Sequence, residues 1–178
     1  MFDYRRYRVP GGMYFFTVNL LERRNDNLIR YVDVLREAAR ATRRERPFHI
    51  DAWVVLPDHM HCVWTPPPGD DDFSNRWKAI KIRFVQAIPC TERRSKTRVA
   101  RGERGIWQRR FWEHVIRNDV DYGRHVDYVH WNPMKHGVVR RVADWPYSSF
   151  HRYARVGVLP IDWAGYMEEE SSNFGEPA

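Results

Sequence analysis

Hydrophobic and polar positions alternate with two different periods along the first part of the chain. The segment "MYFFTVNLL" (13–21) is apolar and rich in β-formers, which predicts a strand. Residues 27–47 place apolar side chains at helical spacing and end at a proline, which predicts a helix. Residues 48–57 predict a second strand and "HMHCVWT" (59–65) a third, joined by a short Pro-Asp turn. These two strands therefore form a predicted antiparallel hairpin.

The second half of the chain repeats this alternation. Apolar residues at helical spacing predict a helix over 73–89, and a basic loop without an apolar face follows at 91–105. Residues 106–117 predict a fourth strand, and residues 119–132 a helix that ends at the next residue, a proline. The aromatic, turn-rich segment that follows is expected to pack on the same domain.

The order of these elements predicts the fold class. Strand, helix, strand, strand, helix, strand and a further helix are typical of an α+β fold, the ferredoxin-like split βαβ arrangement. We expect a four-stranded antiparallel sheet with helices on one face, plus a C-terminal helix. The length suits one domain, placed at 1–166 and followed by a flexible polar tail at 167–178. The open face of such a sheet is a common platform for nucleic acids.

The charge of the chain adds a candidate partner. The formal net charge is +7, and nearly all of the positive charge is arginine. Arginine binds phosphates through its planar fork and stacks on bases, so a polyanion is favoured over a merely soluble basic surface. Two cysteines are too few for a disulfide framework or a cysteine-based zinc site. We recognise no leader and no membrane-spanning stretch, and we expect a cytoplasmic protein without a membrane partner.

Two histidines in the third predicted strand are the first candidate functional residues. His59 and His61 are two residues apart, so a strand directs both side chains to one face. On the last predicted helix, His125, Tyr128 and Asn132 share one side. Two imidazoles and one amide oxygen make three ligands that leave positions for water and phosphate oxygens. Such a set suits Mg²⁺ or Mn²⁺ better than a closed zinc site.

A tyrosine hydroxyl beside a metal-bound phosphate suggests covalent chemistry. The oxygen of Tyr128 can attack phosphorus, and the cation can favour the phenolate. Tyr122 is the rival nucleophile, but its position six residues before Tyr128 places it off the side of the helix that carries Asn132. Taken alone, a helix tyrosine such as Tyr128 is more commonly a buried residue with a satisfied hydroxyl, and Asn132 before a proline is equally well read as an ordinary helix end.

Several longer motifs connect these residues to a known family. "AWVVLPDHMHCVW", "WQRRFWEHVIRN", "DYVHWNPMKHG" and "WPYSSFHRY" occur in this order, and the similarity extends over nearly the whole chain. With the paired histidines and the Tyr-x-x-x-Asn helix, the sequence resembles the REP-associated tyrosine transposases, a bacterial branch of the HUH single-strand DNA transposases.

The resemblance implies a role for each candidate residue. His59 and His61 match the HUH histidines, Tyr128 the nucleophile of a C-terminal catalytic helix, and Asn132 the third metal ligand, where related insertion-sequence transposases often have Gln. The implied activity is that of a metal-dependent single-strand DNA endonuclease and strand transferase. It would recognise repetitive extragenic palindrome (REP) hairpins and leave a 5′-phosphotyrosine and a free 3′-hydroxyl. The resembled branch is expected to be monomeric, although related enzymes form homodimers.

Further residues are candidates for supporting roles. His125 and Glu113 are possible outer-sphere groups around the metal, although helix packing and a surface ion pair explain them equally well. The candidate phosphate contacts are Arg5, Arg6, Arg8, Arg93, Arg94 and Lys96. Two other functions stay open from the residues alone: a hairpin-binding module without chemistry, and a phosphodiesterase that uses an activated water.

Overall fold

The structure of the protein is a computed structural model and describes residues 6–165. The expected DNA contact at Arg5, the predicted domain boundary and the predicted tail at 167–178 lie outside the described residues. No helix of the described part is long and apolar enough to cross a lipid bilayer.

Four antiparallel strands form one sheet, as the sequence predicts. They are β1 (Tyr14–Asn19), β2 (His49–Val55), β3 (His59–Thr65) and β4 (Trp112–Val115), in the spatial order β2-β3-β1-β4. The α+β split βαβ fold is therefore confirmed. The fourth strand is much shorter than the predicted 106–117, because the residues before it make only an isolated bridge, between Trp107 and Leu20, just beyond the end of β1.

Three helices cover one face of the sheet, and they bury the larger apolar core. They are α1 (Asn27–Arg30), α2 (Val32–Glu45) and α3 (Phe73–Ala87), so the single helix predicted over 27–47 is interrupted at Tyr31. Aromatic side chains dominate this core: the rings of Trp64 and Trp77 stack with their centroids 4.2 Å apart. This close packing keeps the sheet rigid beneath its other face.

The basic segment at 91–105 contains an unpredicted short helix, α4 (Lys96–Ala100). The side chain of Ser95 accepts a hydrogen bond from the backbone of Arg98 and so caps the helix. Arg104 fastens the segment to the end of α3, because its guanidinium bonds Glu92 and three backbone carbonyls. One arginine of this segment is therefore structural.

The long helix α5 (Asp119–Lys135) crosses the opposite face of the sheet. Val126, Tyr128 and Val129 pack there against residues of β1, β2 and β3. The prediction that this helix ends at Pro133 is wrong: the proline lies inside it, and the helix ends at Lys135, with His136 as its C-terminal cap. Proline removes one backbone hydrogen bond, but those of the next residues, His136 N to Asn132 O among them, continue the helix.

The segment after α5 covers the free edge of β2, as expected of a domain-packed C-terminal part. A short 3-10 turn (Val142–Asp144) leads to α6 (Phe150–Arg155). Backbone groups of Tyr147 and Ser149 bond to β2, and Trp145 Nε1 donates to Val55 O at 2.9 Å. Covering an edge strand in this way prevents pairing with another chain.

His130 joins α5 to this segment. Its side chain is completely buried, and its Nε2 lies 2.9 Å from the Ser149 hydroxyl. Burial, with the nearby charge of Arg152, lowers the pKa of His130 to about 3. The imidazole is therefore neutral in the folded protein.

The buried neutral state of His130 predicts a pH dependence of stability. Below pH 6.5 the unfolded chain takes up a proton that folded His130 cannot accept until about pH 3. Relative to His130→Gln, the native chain should lose up to about 1.4 kcal/mol of unfolding free energy per pH unit over this range. Urea unfolding from pH 7 to pH 4 measures the difference. His49→Gln, at an exposed histidine, is the matched control and should follow the native chain; parallel curves for His130→Gln would contradict the assignment.

Candidate active site

The two histidines of β3 point to the face of the sheet that α5 covers. His61 lies opposite Thr17 of β1, and His59 lies opposite Asn19. Both imidazoles are buried, and their ring centroids are 5.0 Å apart with the planes nearly perpendicular. The strand alternation in the sequence therefore predicted their common face correctly.

An oxygen atom contacts the Nδ1 atom of each imidazole. His59 Nδ1 lies 2.7 Å from Asp58 Oδ1, and His61 Nδ1 lies 2.9 Å from the Thr17 hydroxyl. An ionised carboxylate only accepts hydrogen bonds, so His59 donates from Nδ1 and carries its lone pair on Nε2. Metal-binding histidines typically have this kind of support on their second nitrogen.

Asp58 is itself held in its ionised form. Burial raises the pKa of the Asp58 carboxyl, but the hydrogen bond from His59 and the charge of Arg23 outweigh burial and leave the pKa below its usual value. Arg23 Nε lies 2.7 Å from Asp58 Oδ2, and its Nη1 donates to Asn19 Oδ1 at 2.6 Å. The orientation of His59 thus depends on a charged chain of contacts that begins in the loop after β1.

Tyr128 lies directly against the histidine pair. Its ring centroid is 5.2 Å from that of His61, with an edge-to-face orientation, and 5.9 Å from that of Phe15. The hydroxyl of Tyr128 accepts a hydrogen bond of 2.8 Å from Lys135 Nζ. The rival Tyr122 differs, because its hydroxyl lies 3.3 Å from that of Tyr153, and burial together with this contact raises its pKa.

Asn132 lies one helical turn beyond Tyr128 and is completely buried. One turn further on, the ring of His136 contacts that of His59, with centroids 4.9 Å apart. Tyr128 contacts one histidine and His136 the other, so the turn between them, which carries Asn132, passes along the pair. The structure therefore brings together four candidates named from the sequence: His59, His61, Tyr128 and Asn132.

Two residues of this site were missed in the sequence. Lys135 and His136 follow Pro133. Because the predicted helix ended at the proline, neither residue was expected on the side of the helix that carries Tyr128. A signal was nonetheless present, because residues seven positions apart lie on the same side of a helix, as Tyr128 and Lys135 do.

The donor set of this site fits a divalent cation. Two imidazoles with supported Nδ1 atoms and a buried amide are ligand types that can bind Mg²⁺ or Mn²⁺ alongside phosphate oxygens. No carboxylate belongs to the expected ligand set, so the scissile phosphate itself would supply the negative charge.

His114, Asp121 and His125 form a second polar cluster at the start of α5. Their potential ligand atoms lie within 4.8 Å of one another, as in a metal site. However, the two imidazole rings stack at 15° with centroids 4.6 Å apart, and lone pairs in nearly parallel planes do not converge on one ion. Asp121 instead bonds His114 Nε2 at 2.9 Å and the backbone of Arg117. We interpret this cluster as a brace for the first turn of α5.

The two outer-sphere candidates occupy different positions. His125 is buried and its pKa is lowered, mainly by burial; it reaches the site through Phe15, whose ring contacts both His125 and His61. Glu113 lies opposite Phe16, so it points to the other face of the sheet, where Arg6 Nε is 3.6 Å away. The structure does not bring Glu113 to the histidine pair.

The candidate phosphate contacts divide into two groups. Arg6 and Arg8 attach the N-terminal arm to the start of α3: both bond Ser74, and Arg8 also pairs with Asp71. Arg93, Arg94 and Lys96 are exposed and have no ion pair with any residue between 6 and 165. The second group is therefore the better candidate surface for an external polyanion.

Comparison with known proteins identifies close relatives. The chain is 52% identical over 172 residues to the REP-associated tyrosine transposase of Escherichia coli (strain K12), with 97% of this chain and 96% of that protein covered. It is 44% identical over 166 residues to a Haemophilus influenzae protein provisionally named in the same way, with 93% of this chain and 94% of that protein covered. A solved structure of a REP-associated tyrosine transposase bound to a REP hairpin matches with a TM-score of 0.85 and 50% identity, over 100% of this chain and 99% of that one. No family model matches the chain.

Proposed function

The chain belongs to the REP-associated tyrosine transposases, and from this membership we propose that it cuts and rejoins single-stranded DNA beside REP hairpins. The observation that carries the proposal is the contact between Tyr128 and the histidine pair beneath α5. A nucleophilic oxygen and a two-imidazole cluster on one side of a sheet are the parts that a phosphoryl transfer requires.

Tyr128 is the proposed nucleophile. Its oxygen forms a bond to the scissile phosphorus while the bond from phosphorus to the 3′ oxygen breaks, and the 3′ oxygen leaves with the bonding electrons. The phenolic proton is balanced by the proton that the 3′ oxygen gains, so no water and no co-reactant are consumed. The products are a 5′-phosphotyrosine and a 3′-hydroxyl, and the reverse reaction joins strands without an external energy source.

His59, His61 and Asn132 are the proposed ligands of Mg²⁺ or Mn²⁺. When bound, the cation would supply Lewis-acid polarisation of the scissile phosphate. The contribution of the chain is to orient the two imidazoles, through Asp58 for His59 and through Thr17 for His61. His125, through Phe15, is a proposed support for this arrangement.

We propose that a single protomer is active. Tyr128, His59, His61 and Asn132 all belong to one chain and lie together, so no second copy is required to complete the site. This agrees with the monomer implied by the sequence resemblance. A DNA substrate also supports the expected cytoplasmic location.

The first prediction from this proposed function concerns the nucleophile. Tyr128→Phe should retain hairpin binding but form no covalent adduct, because only the attacking oxygen is removed. Labelled single-stranded hairpin DNA, incubated with Mn²⁺ and separated on a denaturing gel, measures the adduct. Tyr122→Phe is the matched control and should form the adduct normally. If Tyr128→Phe cuts the DNA without forming an adduct, the result would support a water-dependent phosphodiesterase. If the native chain binds the hairpin but does not cut it, the result would support a hairpin-binding module.

The second prediction concerns the support of His59. Asp58→Asn keeps the size of the side chain but removes the charge that orients the imidazole. We expect Mn²⁺ affinity to fall about 10- to 100-fold in calorimetric titrations, while the fold is retained. Asp51→Asn, on the neighbouring strand, is the control. Equal affinities for the native chain and Asp58→Asn would remove Asp58 from the metal site.

The third prediction concerns the exposed cations of the basic segment. Replacing Arg93, Arg94 and Lys96 with Ala should weaken hairpin binding and reduce the slope of log affinity against log salt by about 2, if each cation contacts one phosphate of a single strand. Arg36, Arg40 and Arg44 on α2 provide a control triple of the same charge. An unchanged slope would show that the basic segment does not contact DNA.

A further inference from the structure

A cation contacts the proposed nucleophile directly. Lys135 Nζ donates a hydrogen bond of 2.8 Å to the Tyr128 hydroxyl and lies 4.7 Å from the centre of the phenol ring. This contact exists because α5 continues past Pro133, so that the two residues, seven positions apart, share one side of the helix. The ammonium therefore adjoins the atom that would form and break the bond to phosphorus.

We propose that Lys135 is a further catalytic residue, which stabilises the negative charge on the Tyr128 oxygen and on the neighbouring phosphoryl oxygens during transfer. This inference rests on the proposed function. A lysine ammonium has three donors, so it can bond the phenolic oxygen and still reach an oxygen of a phosphate attached to it. A preorganised donor at a charge-bearing oxygen is a major source of catalysis in phosphoryl and acyl transfer.

The same contact serves both directions of the reaction. In cleavage, the Tyr128 oxygen forms the bond to phosphorus as the 3′ oxygen leaves with its electron pair. In rejoining, a 3′-hydroxyl attacks phosphorus and the Tyr128 oxygen leaves with the bonding pair. Lys135 Nζ points to that oxygen in either case, and no net proton or co-reactant is required of it.

Arg23, a second cationic side chain near the histidines, contacts residues other than Tyr128. Arg23 pairs with Asp58 and donates to Asn19, which directs its guanidinium toward the support of His59. Lys135 is partly exposed at the end of α5, so its side chain is not required to fill a core position. These observations favour a chemical role for Lys135 over a packing role.

Single-turnover kinetics with labelled hairpin DNA and Mn²⁺ test the inference. Lys135→Met keeps the aliphatic stem and removes the ammonium, and we expect about a 10²- to 10³-fold slower formation of the covalent adduct. Rejoining of the purified adduct with a 3′-hydroxyl strand should slow to a similar extent. Hairpin affinity and melting temperature should remain close to those of the native chain, and Lys135→Arg should recover part of the rate.

Lys78→Met is the matched control, because it removes the same charge from an exposed position on α3 and should leave every rate unchanged. Adduct formation by Lys135→Met at the native rate would overturn the inference while leaving the proposed function intact. The inference would also be overturned if a saturating concentration of hairpin DNA restored the lost rate, because Lys135 would then only bind DNA. If the native chain itself forms no adduct, the proposed function fails, and this inference with it.

Discussion

The packing of α5 across the sheet is the constraint on which the site depends. The apolar side of this helix, with Val126 and Val129, fills the space above β2 and β3. That packing also fixes the polar residues of the same side, because a helix places side chains three, four and seven positions apart along one line. Tyr128 therefore meets His61, and the end of the helix meets His59. The same contact surface therefore buries apolar side chains and positions the residues of the proposed site.

Support for the site comes from β1 and from the loops after β1 and β2. Thr17 on β1 contacts His61, and Asp58, held by Arg23, contacts His59. Such polar contacts in a buried region are strong only when every member has a partner. The arrangement explains how a chain can place two imidazoles in its interior, because the Nδ1 atom of each has an oxygen partner. The proposed role of the two Nε2 atoms is to bind a cation.

Local periodicity predicted most of the fold and the core of the site. Strand alternation put His59 and His61 on one face, and helical spacing put Tyr128 and Asn132 on one side. The failures have physical causes beyond local pattern. Pro133 is tolerated because the following residues continue the helix, and the side of the sheet that Glu113 faces depends on pairing with β1, which no single segment reveals. Composition likewise cannot separate an arginine such as Arg104, which binds carbonyls within the fold, from the exposed ones.

In the proposed site, His59, His61 and Asn132 bind one divalent cation beside the Tyr128 hydroxyl. The most direct measurement is the anomalous scattering of Mn²⁺ in crystals of Tyr128→Phe grown with uncut hairpin DNA. We expect a single strong peak among the two Nε2 atoms and the Asn132 side chain, next to a phosphate of the DNA. A peak between His114 and His125, with none at the histidine pair of β3, would contradict it.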